Sequence, residues 1–143
     1  MARVLALTAD LLFGSRVQGA LVAAGYEVEL VCSADALAAR LSAEAAGTEP
    51  DAGVSTDPAR PDRGSRSRPS LLVVDLVDAQ LDGAGAVESL RSAGALDGVR
   101  TLGFYSHVDT SARERAERAG FDLVVARSRM AREGAQLVGS LLA

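Results

Sequence analysis

The stretch LLVVDLVD, Leu71–Asp78, opens with four consecutive apolar residues and then an acid. A short run of Leu and Val with no alternation predicts a strand buried on both faces, Leu71–Asp75, as in the middle of a parallel sheet. Such a strand delivers the carboxylate of Asp75 at its carboxyl end. Upstream, Val4–Leu7 is a second short apolar run. Leu11–Ala24 follows with Phe13, Val17, Ala20, Leu21 and Ala24 at helical spacing and stops at Gly25. Tyr26–Val31 alternates as a strand does, and Ser33–Ala43 reads as a helix with Ser33 as its N-cap and Leu37 and Leu41 on one face.

Downstream, the spacing predicts helix Gly85–Ala93, strand Arg100–Tyr105, helix Ser111–Ala119, strand Leu123–Ala126 and helix Ser128–Leu142. SARE, with Ser111 and Glu114, has the pattern of a capping box, and Glu114–Arg118 has the spacing of a helical ion pair. Met130, Gly134, Leu137, Val138 and Leu141 form one stripe of the last helix. Five apolar strands alternating with helices predict an α/β fold, a doubly wound parallel sheet of flavodoxin-like (βα)5 type with strand order 2-1-3-4-5. Sites in such sheets lie at the carboxyl ends of the strands. Here those ends carry Thr8, Ala9 and Asp10, then Asp75, then Tyr105, Ser106 and His107.

At 143 residues the chain reads as one domain, 1–143. Residues 44–70 break the alternation. They hold all four prolines, several Gly and Ser and charges of both signs, with Val54 almost the only aliphatic residue before the strand resumes. A segment of that composition buries too little to offset its ordering entropy, so a disordered insertion is expected at about 44–70. Net charge is −4, which speaks against a nucleic-acid partner. No apolar run is long enough to span a membrane, and the start MARVLALTAD lacks the long apolar region of a signal peptide. Cys32 is the single cysteine, which excludes a disulfide framework and makes a cytoplasmic location the default. It reads as a small, half-buried residue. All 15 basic residues are Arg, so no mechanism here uses a lysine amine.

Taken together, RVLALTAD, LLVVDLVDAQLDG and AERAGFDLVVARS resemble the first strand, the phosphoacceptor strand and loop, and the carboxyl-terminal strand of the receiver domains of bacterial response regulators. The resemblance covers the chain apart from the insertion. It implies a CheY-like signalling domain with Asp75 at the phosphoacceptor position. It also exposes departures. Thr8 and Ala9 stand where the family places the acid pair that holds Mg²⁺, and only Asp10, one place on, is acidic. Tyr105 replaces the small hydroxyl residue, with Ser106 beside it. Arg127 replaces the lysine, and Ser128 the proline that follows it.

Aspartyl phosphorylation needs a divalent cation bridging carboxylate and phosphoryl oxygens, and a cation on a further oxygen. Asp75 and Asp10 alone make a poor ligand set for Mg²⁺. Arg127, a planar fork instead of a compact ammonium, either stabilises a phosphoryl group or pairs directly with Asp75. The favoured expectation is therefore a stand-alone pseudo-receiver of the two-component or phosphorelay type: no enzyme, no cofactor, no output domain of its own. It would act by contact with a protein partner or by self-association through the face of helix 4, strand 5 and helix 5. Two alternatives stay open. One is an atypical response regulator phosphorylated on Asp75, with Mg²⁺ held by Asp10 and Asp75. The other is a protein that binds a small ligand or nucleotide in the crevice at the strand ends. His107 reads as a surface loop residue. FGSR, Phe13–Arg16, reads as part of helix 1, although its Arg16 lies where an anion could be met. The charged run Arg113–Arg118 reads as a solvated helix face.

Overall fold

The computed structural model describes residues 2–45, 69–78 and 80–142, with the side chains of 42–45 excepted. The elements alternate as β1 (Arg3–Leu7), α1 (Leu11–Ala23), β2 (Glu27–Val31), α2 (Ala34–Ala45), β3 (Leu71–Asp75), α3 (Gly83–Ser92), β4 (Arg100–Tyr105), α4 (Thr110–Ala119), β5 (Leu123–Ala126) and α5 (Arg127–Leu142). The strands form one parallel sheet in the order β2-β1-β3-β4-β5. β3 is central, and all five of its residues are buried. That is why its sequence runs apolar without alternation: both faces are covered.

The two faces follow from the pleat. Leu5, Leu7, Leu72 and Val74 point to one side and pack with Leu37 and Leu41 of α2, Val87 of α3, and Ala116 and Ala119 of α4. Val4, Ala6, Leu71, Val73, Leu102 and Phe104 point to the other and meet Phe13, Val17 and Leu21 of α1 and Met130, Leu137 and Val138 of α5. Each Leu or Val buried to this degree contributes about 1.5–3 kcal/mol relative to exposure. Two layers of helix therefore clamp the sheet, and the β1, β3 and β4 ends open on one edge. Among the described residues no helix is long and apolar enough to cross a membrane.

Helix starts are set by side-chain caps. Ser33 accepts from the amide of Ala36, as its position predicted. α4 differs from expectation. Its cap is Asp109, which accepts from the amide of Ala112 at 3.1 Å, so Ser111 lies inside the first turn and forms no capping box. A carboxylate both satisfies an orphan amide and complements the helix dipole, and Asp109 stands at the right offset to do so first. The ion pair along α4 is Arg113–Glu117, not Glu114–Arg118. α3 begins at Gly83, earlier than the spacing suggested, because Asp82 adopts a left-handed conformation (φ 49°) and caps the amide of Gly85. Cys32 is exposed, not half-buried, since it follows the last sheet residue of edge strand β2. Of the stretch expected to be disordered, 46–68 lies outside the described residues. At its flanks Glu44 and Ala45 are helical, Pro69 is buried, and Ser70 bonds to β1 and β4 through its backbone.

Gly83 holds the start of α3 against the end of β3. A Cβ there would overlap the side chain of Val74 and stand 2.9 Å from the carbonyl oxygen of Asp75. Ala is favoured over Gly inside a helix by about 1 kcal/mol, while overpacking costs about 1–3 kcal/mol. One of the atoms in the way is backbone, so the clash wins. Gly83→Ala is expected to lower stability by about 1–2 kcal/mol, seen as a lower urea midpoint at unchanged slope.

Candidate functional site

Asp75 ends the central strand with 3% of its surface exposed. A carboxylate taken out of water at that depth must be compensated. Its Oδ2 accepts a 2.7 Å hydrogen bond from the Thr8 hydroxyl, and its Oδ1 accepts one of 2.7 Å from the backbone amide of Val77. Thr8 is itself buried at the end of β1, with its amide donating to the carbonyl of Val31. Its hydroxyl has one proton to give and gives it to Asp75. The same oxygen accepts the amide of Asp10 at 3.0 Å. Gly14 of α1 makes room for this arrangement, because a Cβ there would stand 3.0 Å from the Thr8 methyl.

Asp10 is likewise committed. It caps α1 through Oδ1, accepting from the amide of Phe13 at 3.0 Å. Its Oδ2 meets the guanidinium of Arg127 at 3.0 Å. That guanidinium lies over the Phe13 ring, 4.5 Å from its centroid, and Phe13 in turn packs on Phe104. The pair contemplated from sequence, Arg127 with Asp75, does not form. Arg127 opens α5 directly after β5, and α5 packs beside α1, so the nearest uncompensated carboxylate is the one capping α1. Asp75 lies beneath Thr8 and has already found its donors.

The other residues expected at this edge separate. Ala9 is exposed and offers no polar side chain. Tyr105 is half-buried and packs against the core on the α2–α4 side. Its phenol is near Arg113, whose guanidinium is held above its ordinary value first by Glu117 and to a smaller degree by Tyr105. Ser106 and His107 line a cleft of about 380 Å³ together with Phe13, Arg16, Val77, Arg127, Ser128 and Ala131. The edge therefore holds two neighbouring arrangements. One is a closed network of Thr8, Asp10 and Asp75, and the other an open cleft with Arg127 at the boundary. The amide of Val77 and the Phe13 platform were not legible as site features. A backbone donor leaves no sequence signal, and Phe13 reads simply as one more apolar residue of α1.

Mg²⁺ demands near-octahedral oxygen ligation. Each oxygen of Asp75 and of Asp10 already accepts a hydrogen bond, and a guanidinium occupies the side of Asp10 that a cation would take. Among the described residues no three His, Cys, Asp or Glu side chains gather as a metal site. The donors present do not fit a divalent cation.

No protein-family model matches the chain, and no curated protein matches it. Solved structures do. The chain is similar to the phosphorylated cyanobacterial phytochrome response regulator RcpA, with 14% identity and a TM-score of 0.72 over 99% of this chain and 94% of that one. It is similar to a CheY-like response regulator receiver domain protein from Methanospirillum hungatei JF-1, at 15% identity, TM-score 0.72, and 99% and 94% coverage. It is also similar to the chemotaxis response regulator CheY4 of Vibrio cholerae, at 15% identity and TM-score 0.71 over 99% of both chains. The chain has the fold of a response-regulator receiver domain, with strand order and layers as expected from its sequence.

Removing the Thr8 hydroxyl leaves a buried carboxylate oxygen without its donor. Such a loss costs about 1–3 kcal/mol, more where the group is charged. Thr8→Val, nearly isosteric, is expected to destabilise the protein by about 2–3 kcal/mol in urea denaturation, and Thr8→Ser to restore most of it.

Proposed function

We propose that this receiver-fold chain is a signalling or regulatory module that works by binding another protein, without phosphorylation of Asp75, without Mg²⁺ and without catalysis of its own. The single observation that carries this reading is the commitment of Asp75. Its two oxygens are turned to Thr8 and Val77 inside a buried network. Attack on a phosphoryl donor would require one oxygen to leave its bond and face the donor, and would add charge beside Asp10 with no cation to absorb it. Arg127 is already paired with Asp10 and stacked on Phe13.

Without phosphorylation to switch it, such a module is read in its resting shape. The surface we assign to contact is α4, β5 and α5, offered either to a different protein or to a second copy. α4 presents Arg113, Glu114, Arg115, Glu117 and Arg118 to solvent. A mixed-sign face of this kind suits a polar, reversible interface more than an obligate apolar one.

The test is incubation of the full chain with Mg²⁺ and acetyl phosphate, read by intact-mass spectrometry, with beryllofluoride added in a parallel NMR titration. The expected result is no phosphate adduct and no shift changes around Asp75. A phosphate adduct that disappears in Asp75→Asn would overturn the reading and favour the phosphorylated alternative.

A further inference from the structure

We infer that the outer face of α1 is a contact surface for the same face of a second copy of this chain, giving a reversible two-fold dimer. Of the five large hydrophobic side chains exposed among the described residues, three stand on α1: Leu11 at 62%, Leu12 at 84% and Val22 at 52%. A lone exposed leucine is ordinary, but apolar side chains gathered on one helix face mark a contact surface. The helix is also short of charge. Arg16 is the only ionised side chain in its 13 residues, whereas α4 carries five in ten.

α1 is built with two apolar stripes. Phe13, Val17 and Leu21, four residues apart, are buried against the sheet and α5. Leu12, Ser15, Gly19 and Val22 are exposed and follow one another at intervals of three, four and three residues, the spacing of a helix–helix seam. At about 100° per residue this second stripe points away from the first. A helix with no charged face is one that is covered on more than one side. Within one copy of the chain, β2 and α5 cover the inner side of α1 and the seam stays open.

Shape decides the occupant. Read from either end, the seam runs large, small, small, large, so it matches itself in size. Ser15 and Gly19 let two helices approach at the centre, and Leu12 and Val22 close the ends. A Cβ at Gly19 would meet nothing within 4 Å, which leaves room there for a neighbour. Charge points the same way. The seam holds no ionised group, so two copies meet on it without burying or opposing charge. A foreign protein would find no charge here to fix its register. A lipid surface is met by helices rich in Lys and Arg on their polar face, and α1 has Arg16 alone. Area sets the strength. Ten residues of helix run roughly 15 Å, too little for the ~800 Å² per partner of a standard interface. The dimer is therefore of micromolar affinity and exchanges freely.

α1 and α4 pack on opposite faces of the sheet. The α1 contact is thus separate from the surface of α4, β5 and α5 and stands whether or not that surface binds a partner.

The test is sedimentation velocity on the full chain from about 5 to 500 µM, a range that brackets a Kd on the order of 10–100 µM. The expected result is a concentration-dependent shift from monomer to dimer. Leu12→Glu puts an acid in the first turn of α1, where it suits the helix dipole and leaves folding intact. It should weaken the dimer about tenfold or more, because the charge would be buried in the seam. Gly19→Gln places a side chain in space that is open in the monomer and improves helix propensity. It should raise the urea midpoint of the dilute chain while weakening the dimer about tenfold, a divergence that a merely structural residue would not produce. Arg118→Ala on α4 should change neither. A chain that stays monomeric throughout overturns the proposal and leaves this face to a foreign protein. A dimer that survives both α1 substitutions overturns it as well, and one lost only in Arg118→Ala would move self-association to the α4 face.

Discussion

A carboxylate buried at the end of the central strand is the constraint around which this edge of the molecule is arranged. β3 is apolar because helices cover both its faces, and Asp75 follows in register with the same burial. An ionised group there would cost several kcal/mol if left unmet. Thr8 is the residue that meets it. From the end of the neighbouring strand β1, one hydroxyl donates to Asp75 and accepts from the backbone of Asp10, so it has a single orientation. β1 and β3 are thereby joined by a polar bond just past the point where their backbone ladder stops at Leu7 and Val74. An acid in place of Thr8 would set two buried carboxylates side by side and would need a cation to hold them. With threonine the same geometry is neutral in its demand and closed.

The second consequence falls on Arg127. With Asp75 satisfied from within, the guanidinium has no reason to reach beneath Thr8. It turns to Asp10, whose free oxygen lies at the start of the helix packed beside its own. The choice of arginine matters here. A guanidinium can bond a carboxylate edge-on and lie flat on an aromatic ring at once, and Phe13 supplies that ring. A lysine ammonium could pair with Asp10 but would not cover Phe13 in the same way. The exposure of this pair, at about two-fifths on each side, limits its worth to that of a surface ion pair, roughly 0–1 kcal/mol. It orients Arg127 more than it stabilises the fold.

Strands and helices were legible because their signals are periodic and local: the unbroken LLVV of β3, the spacing of Phe13, Val17 and Leu21, the serine before α2. Errors gathered where several residues compete for one role. Asp109 and Ser111 are both good caps, and sequence alone did not rank the carboxylate at the earlier position above the hydroxyl. Arg113–Glu117 and Glu114–Arg118 have identical spacing, and only packing decides between them. At the site, residue identities were readable but partners were not. That Thr8 stands where the resembled receiver domains place an acid followed from the resemblance. That its hydroxyl takes over the compensation of Asp75 depends on a distance between strands, and the destination of Arg127 depends on which helices become neighbours across the sheet.

In an open parallel sheet a crevice forms where successive connections leave in opposite directions, and the reversal at β1 and β3 produces one here whatever side chains occupy it. Closing the Asp75 pocket does not abolish that crevice but moves its open part sideways, toward α1 and α5. Since α1 takes its cap from Asp10 and α5 follows β5 without an intervening loop, the charges left facing the opening are arginines. Thr8 and Arg127 thus act in one direction. Thr8 meets Asp75 from within, Arg127 pairs with Asp10, and together they leave positive charge, held by Phe13, on the side that remains open to solvent.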